Sequence, residues 1–125
     1  MANKTGTKLK LKDVVEILKA EIICGADKLD TEATSACASD MMSDVLAFVK
    51  DQSVLVTGLC NPQVIRTAEM MDMICVVFVR GKKPDPMMIE MANAKGIVLL
   101  CAPLRMYLAC GMLYAAGLGA GEHRI

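Results

Sequence analysis

The residues best suited to chemistry lie in the loop TGLCNPQ, Thr57 to Gln63, directly after the apolar run Val54 to Val56. The apolar run predicts a strand, and Asn61 and Pro62 predict a helix start, because asparagine caps a first turn and proline lacks an amide proton that has no partner there. A glycine, a hydroxyl group and a helix N-terminus together suit an anionic group, and Arg66 in the helix adds positive charge. The candidate ligand-binding residues of this segment are Thr57, Gly58, Asn61 and Arg66.

An ordinary strand-to-helix turn is the alternative for this loop. Such a turn needs the same small and capping residues for its own geometry. The loop also has neither the glycine spacing nor the lysine of a phosphate-binding P-loop. Both interpretations stay open at the level of sequence.

A basic cluster of Arg80, Lys82 and Lys83 follows a second apolar run, Met73 to Val79. Ligands of an open parallel sheet collect beyond the carboxyl ends of its strands, where this cluster, the 57–63 loop and the 101–105 loop should lie. Arg80 and Lys82 are therefore further candidates for binding phosphate or an acidic partner. A solvated loop without a ligand is the commoner explanation for such charges.

Six cysteines are spread through the chain, and no two of them lie within two to four residues of each other. Zinc and iron–sulfur ligands are usually that close in sequence, so we expect no metal site and no bound cofactor. Buried free thiols in a reducing cytoplasm are the expectation. Cys60 is the candidate redox-sensitive thiol, since it precedes a helix whose N-terminus favours a thiolate.

Catalytic groups are difficult to find in this sequence. His123 is the only histidine and lies in a glycine-rich terminal segment, where a general base would lack a rigid support. Asp40, Asp44 and Asp72 have no partner carboxylate at a spacing typical of acid and base catalysis or of a divalent metal. We therefore predict no catalytic residue and no enzyme.

Composition narrows the class of protein further. The 125 residues are 54% hydrophobic and 22% charged, with 14 basic and 14 acidic residues, which fits one compact domain without an electrostatic preference for nucleic acid. Tryptophan is absent and other aromatic residues are few, so stacking on bases is not expected. We find no signal peptide pattern and no apolar run of membrane-spanning length, and predict a cytoplasmic protein without a membrane partner.

Apolar periodicity alternates between strand and helix along the chain. Strands are predicted at 21–24, 33–38, 54–56, 73–79 and 97–100, and helices at 9–20, 39–49, 62–71, 86–95 and 103–117. This alternation predicts an α/β fold, a three-layer sandwich around a central, mostly parallel sheet. Residues 9–118 should form a single domain between a flexible N-terminus, 1–8, and a flexible tail, 119–125.

Three segments, LKDVVEILKAEII, VLVTGLCNPQVIRTAEMMD and VVFVRGKKPDPMMIEMANAKGIVLLCAP, resemble the DRTGG domain family. That family is similar to the N-terminal domain of bacterial HPr kinase/phosphorylase and to a middle domain of long phosphotransacetylases. The resemblance covers about 9–118 and implies an α/β sandwich, frequent self-association and no catalysis. The string DRTGG itself is absent, and the corresponding loop is TGLCNPQ, so no catalytic residue is carried over.

Two functions follow as expectations. The first is a non-catalytic regulatory or ligand-sensing homodimer that binds a small anionic metabolite or nucleotide. The alternative is an interaction or assembly protein for an anaerobic redox enzyme complex of the hydrogenase type, because the resemblance is strongest to stand-alone forms encoded near iron-only hydrogenase components. The contacts of such an assembly protein would be Cys60 and eight methionines. These are Met41, Met42, Met70, Met71, Met73, Met87, Met88 and Met91. Their helical spacing favours packing in the core or in a dimer interface.

Overall fold

The structure, a computed structural model, describes residues 9–48 and 53–120. Strands and helices alternate along most of this part of the chain. The strands are β1 (Leu9–Lys10), β2 (Glu21–Cys24), β3 (Glu32–Ala33), β4 (Ala36–Ala38), β5 (Val54–Thr57), β6 (Cys75–Phe78) and β7 (Val98–Cys101). The helices are α1 (Leu11–Leu18), α2 (Met42–Phe48), α3 (Pro62–Met70), α4 (Pro86–Lys95) and α5 (Met106–Ala115).

A central sheet of five strands has the order β2-β7-β6-β5-β4. The pairs β4 with β5, β5 with β6, and β6 with β7 are parallel, whereas β2 runs antiparallel to β7. The prediction of a mostly parallel sheet is therefore confirmed. Four neighbouring parallel strands bring their carboxyl ends to one edge of the sheet.

Helical layers cover both faces of this sheet, which confirms the three-layer α/β architecture. Val54 and Val56 pack with α1 and α5 in one core, and Leu55 between them packs with α2, α3 and α4 in the other. Every residue of β5, β6 and β7 is buried, as expected for strands whose sequence shows no polar alternation. The sheet thus forms a rigid base for the loops that follow its strands.

Local signals set the limits of α3 and α4. The side chain of Asn61 accepts a hydrogen bond from the Gln63 N–H at 3.0 Å, which confirms the predicted cap of α3. Asp85 caps α4 in the same way, through the Met88 N–H at 2.9 Å. Gly96 ends α4 in the left-handed conformation, at φ 73°, where a side chain would be strained.

The first half of the chain departs from the prediction at two places. Leu9 and Lys10 were predicted to begin a helix, but they form β1 and pair with β3, so α1 starts at Leu11. The predicted strand 33–38 is divided, because Ala33 pairs with β1 while Ala36 to Ala38 join the central sheet. Periodicity could not show this division, since both short strands contain mainly small residues.

The predicted termini are only partly described. Gly119, placed in a flexible tail by sequence, is buried, and its carbonyl accepts a hydrogen bond from the Ala36 N–H at 2.9 Å. The predicted flexible segments 1–8 and 121–125, with His123, lie outside the described residues. Among the described helices, none is long and apolar enough to cross a bilayer.

Candidate functional site

A cavity of about 340 Å³ lies at the edge where the parallel strands end. Asp40 follows β4, Gly58 follows β5, Arg80 follows β6 and Arg105 follows β7. The sheet order therefore brings together four residues that are far apart in sequence. The cavity is lined by Asp40, Gly58, Val79, Arg80, Arg105 and Met106.

Asp40 holds the loop after β5 in place. One carboxylate oxygen, Oδ1, accepts hydrogen bonds from the Gly58 N–H at 2.6 Å and from the Thr57 hydroxyl at 3.2 Å. The Thr57 hydroxyl oxygen in turn accepts a hydrogen bond from the Leu59 N–H at 3.0 Å. These contacts link the end of β4 to the end of β5 and fix the position of the Gly58 backbone on one side of the cavity.

The Arg80 main chain is held by the segment that precedes α5. Its N–H donates to the Leu104 carbonyl at 2.7 Å, and the Gly81 N–H donates to the Ala102 carbonyl at 2.9 Å. Arg80 has a φ of 58°, an uncommon conformation for a residue with a side chain. This conformation is maintained by the two hydrogen bonds, and the Arg80 side chain extends across the loop after β5.

Gly58 provides the space for that side chain. A Cβ at this position would lie 2.7 Å from Arg80 Nη2 and 3.4 Å from Asp40 Oδ1. Any larger residue would displace the guanidinium group. The glycine is therefore explained by the close approach of Arg80 rather than by a special backbone angle.

Arg105 supplies the second positive charge at the start of α5. Its backbone is extended, at φ −77° and ψ 162°, and its side chain makes no capping hydrogen bond to the helix. Two guanidinium groups and one carboxylate thus give the cavity a formal charge of about +1, next to a helix N-terminus that also favours anions. The arrangement can bind a phosphate or carboxylate group by charge-assisted hydrogen bonds.

The structure separates the residues that sequence placed in one candidate site. Gly58 and Arg80 line the cavity, whereas Thr57 is fully buried beneath it and uses its hydroxyl within the protein. Asn61 caps α3, and Arg66 is exposed further along that helix. The involvement of Thr57, Asn61 and Arg66 in ligand binding stays a prediction, without support from the lining of this cavity.

The rest of the basic cluster also lies outside the cavity lining. The Lys82 side chain is exposed. The main-chain carbonyl of Lys82 accepts a hydrogen bond from the Cys101 thiol at 2.9 Å. Lys83 pairs with Glu21 at 2.8 Å, and this contact raises the pKa of Lys83. Of the three basic residues, Arg80 alone lines the cavity, while ligand binding by Lys82 stays a prediction.

Cys60 does not have the environment of a stabilised thiolate. Burial and the nearby Asp85 carboxylate raise its pKa, and Lys82 opposes them only in part. The expected effect of the helix N-terminus on the pKa is thus outweighed, while redox sensitivity itself stays a prediction. All six cysteines are free, and burial also raises the pKa of Cys101 to about 11 and of Cys37 to about 12.

Asp40, Val79, Arg105 and Met106 are the cavity residues that sequence analysis did not include among its candidates. An aspartate just before a predicted helix is normally explained as a cap, and the sequence offers Asp40 no partner carboxylate. In the structure the Ser39 hydroxyl accepts the hydrogen bond from the Met41 N–H, and the Asp40 carboxylate accepts one from the Gly58 N–H. Arg105 ends a loop that was already expected at the ligand edge, and its charge beside a predicted helix start was the available signal. Within the described residues, no cluster of histidine, cysteine and carboxylate side chains could hold a metal ion.

Comparison with known proteins identifies the family. The model of the DRTGG domain matches residues 13–116, which is most of the chain. The chain belongs to the DRTGG domain family. No curated protein sequence matches this DRTGG domain.

A solved structure shows the same fold. It contains the CBS and DRTGG domains of the regulatory region of Clostridium perfringens pyrophosphatase, complexed with the activator diadenosine tetraphosphate. The TM-score is 0.67 at 12% sequence identity, over 90% of this chain and 51% of that chain. This DRTGG domain therefore corresponds to about half of the pyrophosphatase region.

Proposed function

We propose that this DRTGG domain is a non-catalytic regulatory domain that senses a small anionic metabolite or nucleotide and forms homodimers. The observation that carries the proposal is the meeting of Arg80 and Arg105 beside Gly58 in one cavity at the carboxyl ends of the parallel strands. Cavities in this position are the usual ligand sites of open α/β sheets. The pyrophosphatase region with the same fold is bound to a nucleotide activator, which supports the same class of ligand here.

The geometry favours recognition over chemistry. The Asp40 carboxylate already accepts two hydrogen bonds from the loop after β5, so its role is structural. Arginine side chains bind anions well but do not exchange protons near neutral pH. A group that could act as a nucleophile with an adjacent base is missing from the lining of the cavity.

The size of the cavity limits what it can enclose. At about 340 Å³ it is near the lower end of the range of small-molecule sites, roughly 300 to 1,000 Å³. A small phosphorylated metabolite would fit as a whole. A dinucleotide would place only one phosphate-bearing part between the arginines and extend the remainder along the surface.

A thermal-shift screen would test the proposal. At least one anionic compound at millimolar concentration should raise the unfolding temperature, because a ligand that binds only the folded state stabilises it. The screen contains pyrophosphate, acetyl phosphate, AMP, ATP and diadenosine tetraphosphate. The variant Arg80→Gln should lose that increase, and Arg66→Gln, which removes the same charge outside the cavity, should retain it. If no compound stabilises the wild type, the proposal of sensing fails.

Assembly with a redox enzyme complex is the second candidate. The observation in its favour is that Met41, Met70 and Met87 are exposed, all on the side of the sheet covered by α2, α3 and α4. Methionine adapts to varied partner surfaces. This candidate would be supported if the domain co-purified with the products of neighbouring genes and if changing these methionines to serine abolished that co-purification. Recovery of the domain alone would count against it.

A further inference from the structure

Helix α5 is apolar around its whole circumference. Its sequence, MYLACGMLYA, contains no charged residue, yet only one side is packed on the sheet, through Ala109 and Leu113. On the other side the exposed fractions of Tyr107, Leu108 and Tyr114 are 91%, 51% and 61%. A helix that is apolar on all sides is normally covered on all sides. We call the surface formed by Tyr107, Leu108, Gly111 and Tyr114 the outer face of α5.

A groove of about 480 Å³ runs beside this outer face. Its opposite wall is the edge strand β4, whose residues Ala36, Cys37 and Ala38 have small side chains. The lining of the groove is almost entirely apolar. Contiguous apolar surface of this kind marks an interaction site more often than it remains in water.

Gly111 is the second, independent observation. Glycine destabilises the middle of a helix, but a Cβ at this position would meet no atom of the described structure within 4 Å. Packing within the described residues thus gives no reason for glycine here. Small residues on a helix surface let the backbone of a second helix approach closely.

The outer face is complementary to itself. Tyr107, Gly111 and Tyr114 are spaced by four and three residues, so two projecting rings flank one depression along the same side of the helix. When two copies of α5 cross antiparallel at Gly111, the Tyr107 ring of each copy lies next to Tyr114 of the other. A two-fold axis through the depression therefore places the same side chains against each other on both copies.

Charge also favours a second copy. Residues 106–120 carry no charge, so identical faces do not repel each other. In the antiparallel arrangement, Arg105 at the start of one α5 lies near the negative C-terminal end of the other. Three exposed side chains on one ten-residue helix, Tyr107, Leu108 and Tyr114, form a small patch, which corresponds to a weak, reversible interface.

We infer that a second copy of this chain docks on the outer face of α5, with the two helices antiparallel and in contact at Gly111. This inference rests on the self-association in the proposed function, for which it names the surface, and it is independent of ligand binding. The dimer forms reversibly at micromolar to near-millimolar protein concentration.

Sedimentation velocity over that concentration range tests the inference with the variant Gly111→Glu. This change places two like charges at the centre of the interface, so the dimer dissociation constant should rise at least tenfold. Because glutamate is a better helix former and has open space at this position, the unfolding temperature of the monomer should not fall. A reduced dimer affinity with retained thermal stability is therefore the expected result.

The control is Met70→Ser, which removes an apolar side chain from α3 on the opposite side of the sheet. The exposed fraction of Met70 is 68%, close to the 61% of Tyr114. It should leave the dimer dissociation constant unchanged. Equal dimer dissociation constants for the wild type and for Gly111→Glu would overturn the choice of surface but leave self-association intact. A wild type that stays monomeric would refute both the surface and self-association, even if it bound a different partner or an apolar dye at the groove. The thermal-shift screen would still report on ligand sensing.

Discussion

Two regions of the molecule that share α5 differ in how they are built. At its N-terminus, the polar cavity is assembled from residues that follow four different strands, and hydrogen bonds fix the backbone on two of its sides. Along its length, the outer face comes from one helix and has no covering element within the described residues. The first region is preorganised for a small ligand, whereas the second is suited to a broad, weaker contact with another protein surface.

A single helix belongs to both regions. Arg105 and Met106 line the cavity, and Tyr107, the next residue, begins the outer face. Substitutions in one region or the other can separate their effects.

Removal of both arginines should cause the greatest loss of ligand affinity. Each charge-assisted hydrogen bond contributes about 1.5 to 3 kcal/mol, so Arg80→Gln with Arg105→Gln should weaken anion affinity at least 100-fold. Isothermal titration calorimetry measures this loss, and circular dichroism confirms that the double variant is folded. Retention of wild-type affinity would place the ligand elsewhere.

Gly58→Ala should have a smaller effect on the same region. The added methyl group would lie 2.7 Å from Arg80 Nη2, so the guanidinium group must move, whereas the backbone needs no change. We expect ligand affinity to fall about tenfold with a loss of stability below about 1 kcal/mol. Gly81→Ala is unsuitable as a control because Gly81 has a φ of 69°.

Gly111→Ala, which adds the same methyl group at a helical glycine with open space, is the suitable control. It should leave ligand affinity unchanged. Equal affinity losses in Gly58→Ala and Gly111→Ala would contradict a local effect at the cavity.

Asp40→Asn should strengthen anion binding. The amide oxygen can still accept the hydrogen bonds from Gly58 and Thr57, but the negative charge beside the two arginines is lost. A charge at this distance in a solvated cavity changes affinity by roughly two- to fivefold. Titration at low and high salt should show that the gain in ligand affinity becomes smaller as the salt concentration increases. A loss of affinity at all salt concentrations would mean that the carboxylate charge itself contacts the ligand.

Cys60 should react slowly with iodoacetamide at neutral pH. Its raised pKa means that the reactive thiolate is rarer at pH 7 than in an unfolded peptide, and the rise of the rate with pH should be displaced above the ordinary thiol range. Mass spectrometry of the alkylated peptide measures the rate. A faster reaction than that of the unfolded chain would instead support a stabilised thiolate and the redox hypothesis.

Much of the fold was predictable because its signals are local. Asn61, Pro62 and Gly96 mark helix limits by their own chemistry, and the continuous apolar run around β6 indicates a strand covered on both faces. The antiparallel direction of β2 was not predictable, because it depends on pairing with β7, far along the chain. The pairing of Leu9 with Ala33 was missed for the same reason.

The site was only half predictable for a related reason. Gly58 and Arg80 were found because each lies in a loop directly after a recognisable strand. Asp40 was missed because an aspartate before a helix is normally explained as a cap, and only the sheet order shows that it faces Gly58. Arg66 was included because it is close in sequence to the loop, although the structure places it outside the cavity lining.

The cavity between Arg80 and Arg105 is the proposed binding site for the anionic ligand. Calorimetric titration of the wild type, Arg105→Gln and Arg66→Gln with the best stabilising compound from the screen tests it most directly. We expect Arg105→Gln to weaken binding by about tenfold or more and Arg66→Gln to match the wild type. Weakened binding by Arg66→Gln together with unchanged binding by Arg105→Gln would contradict the account and move the site to the start of α3.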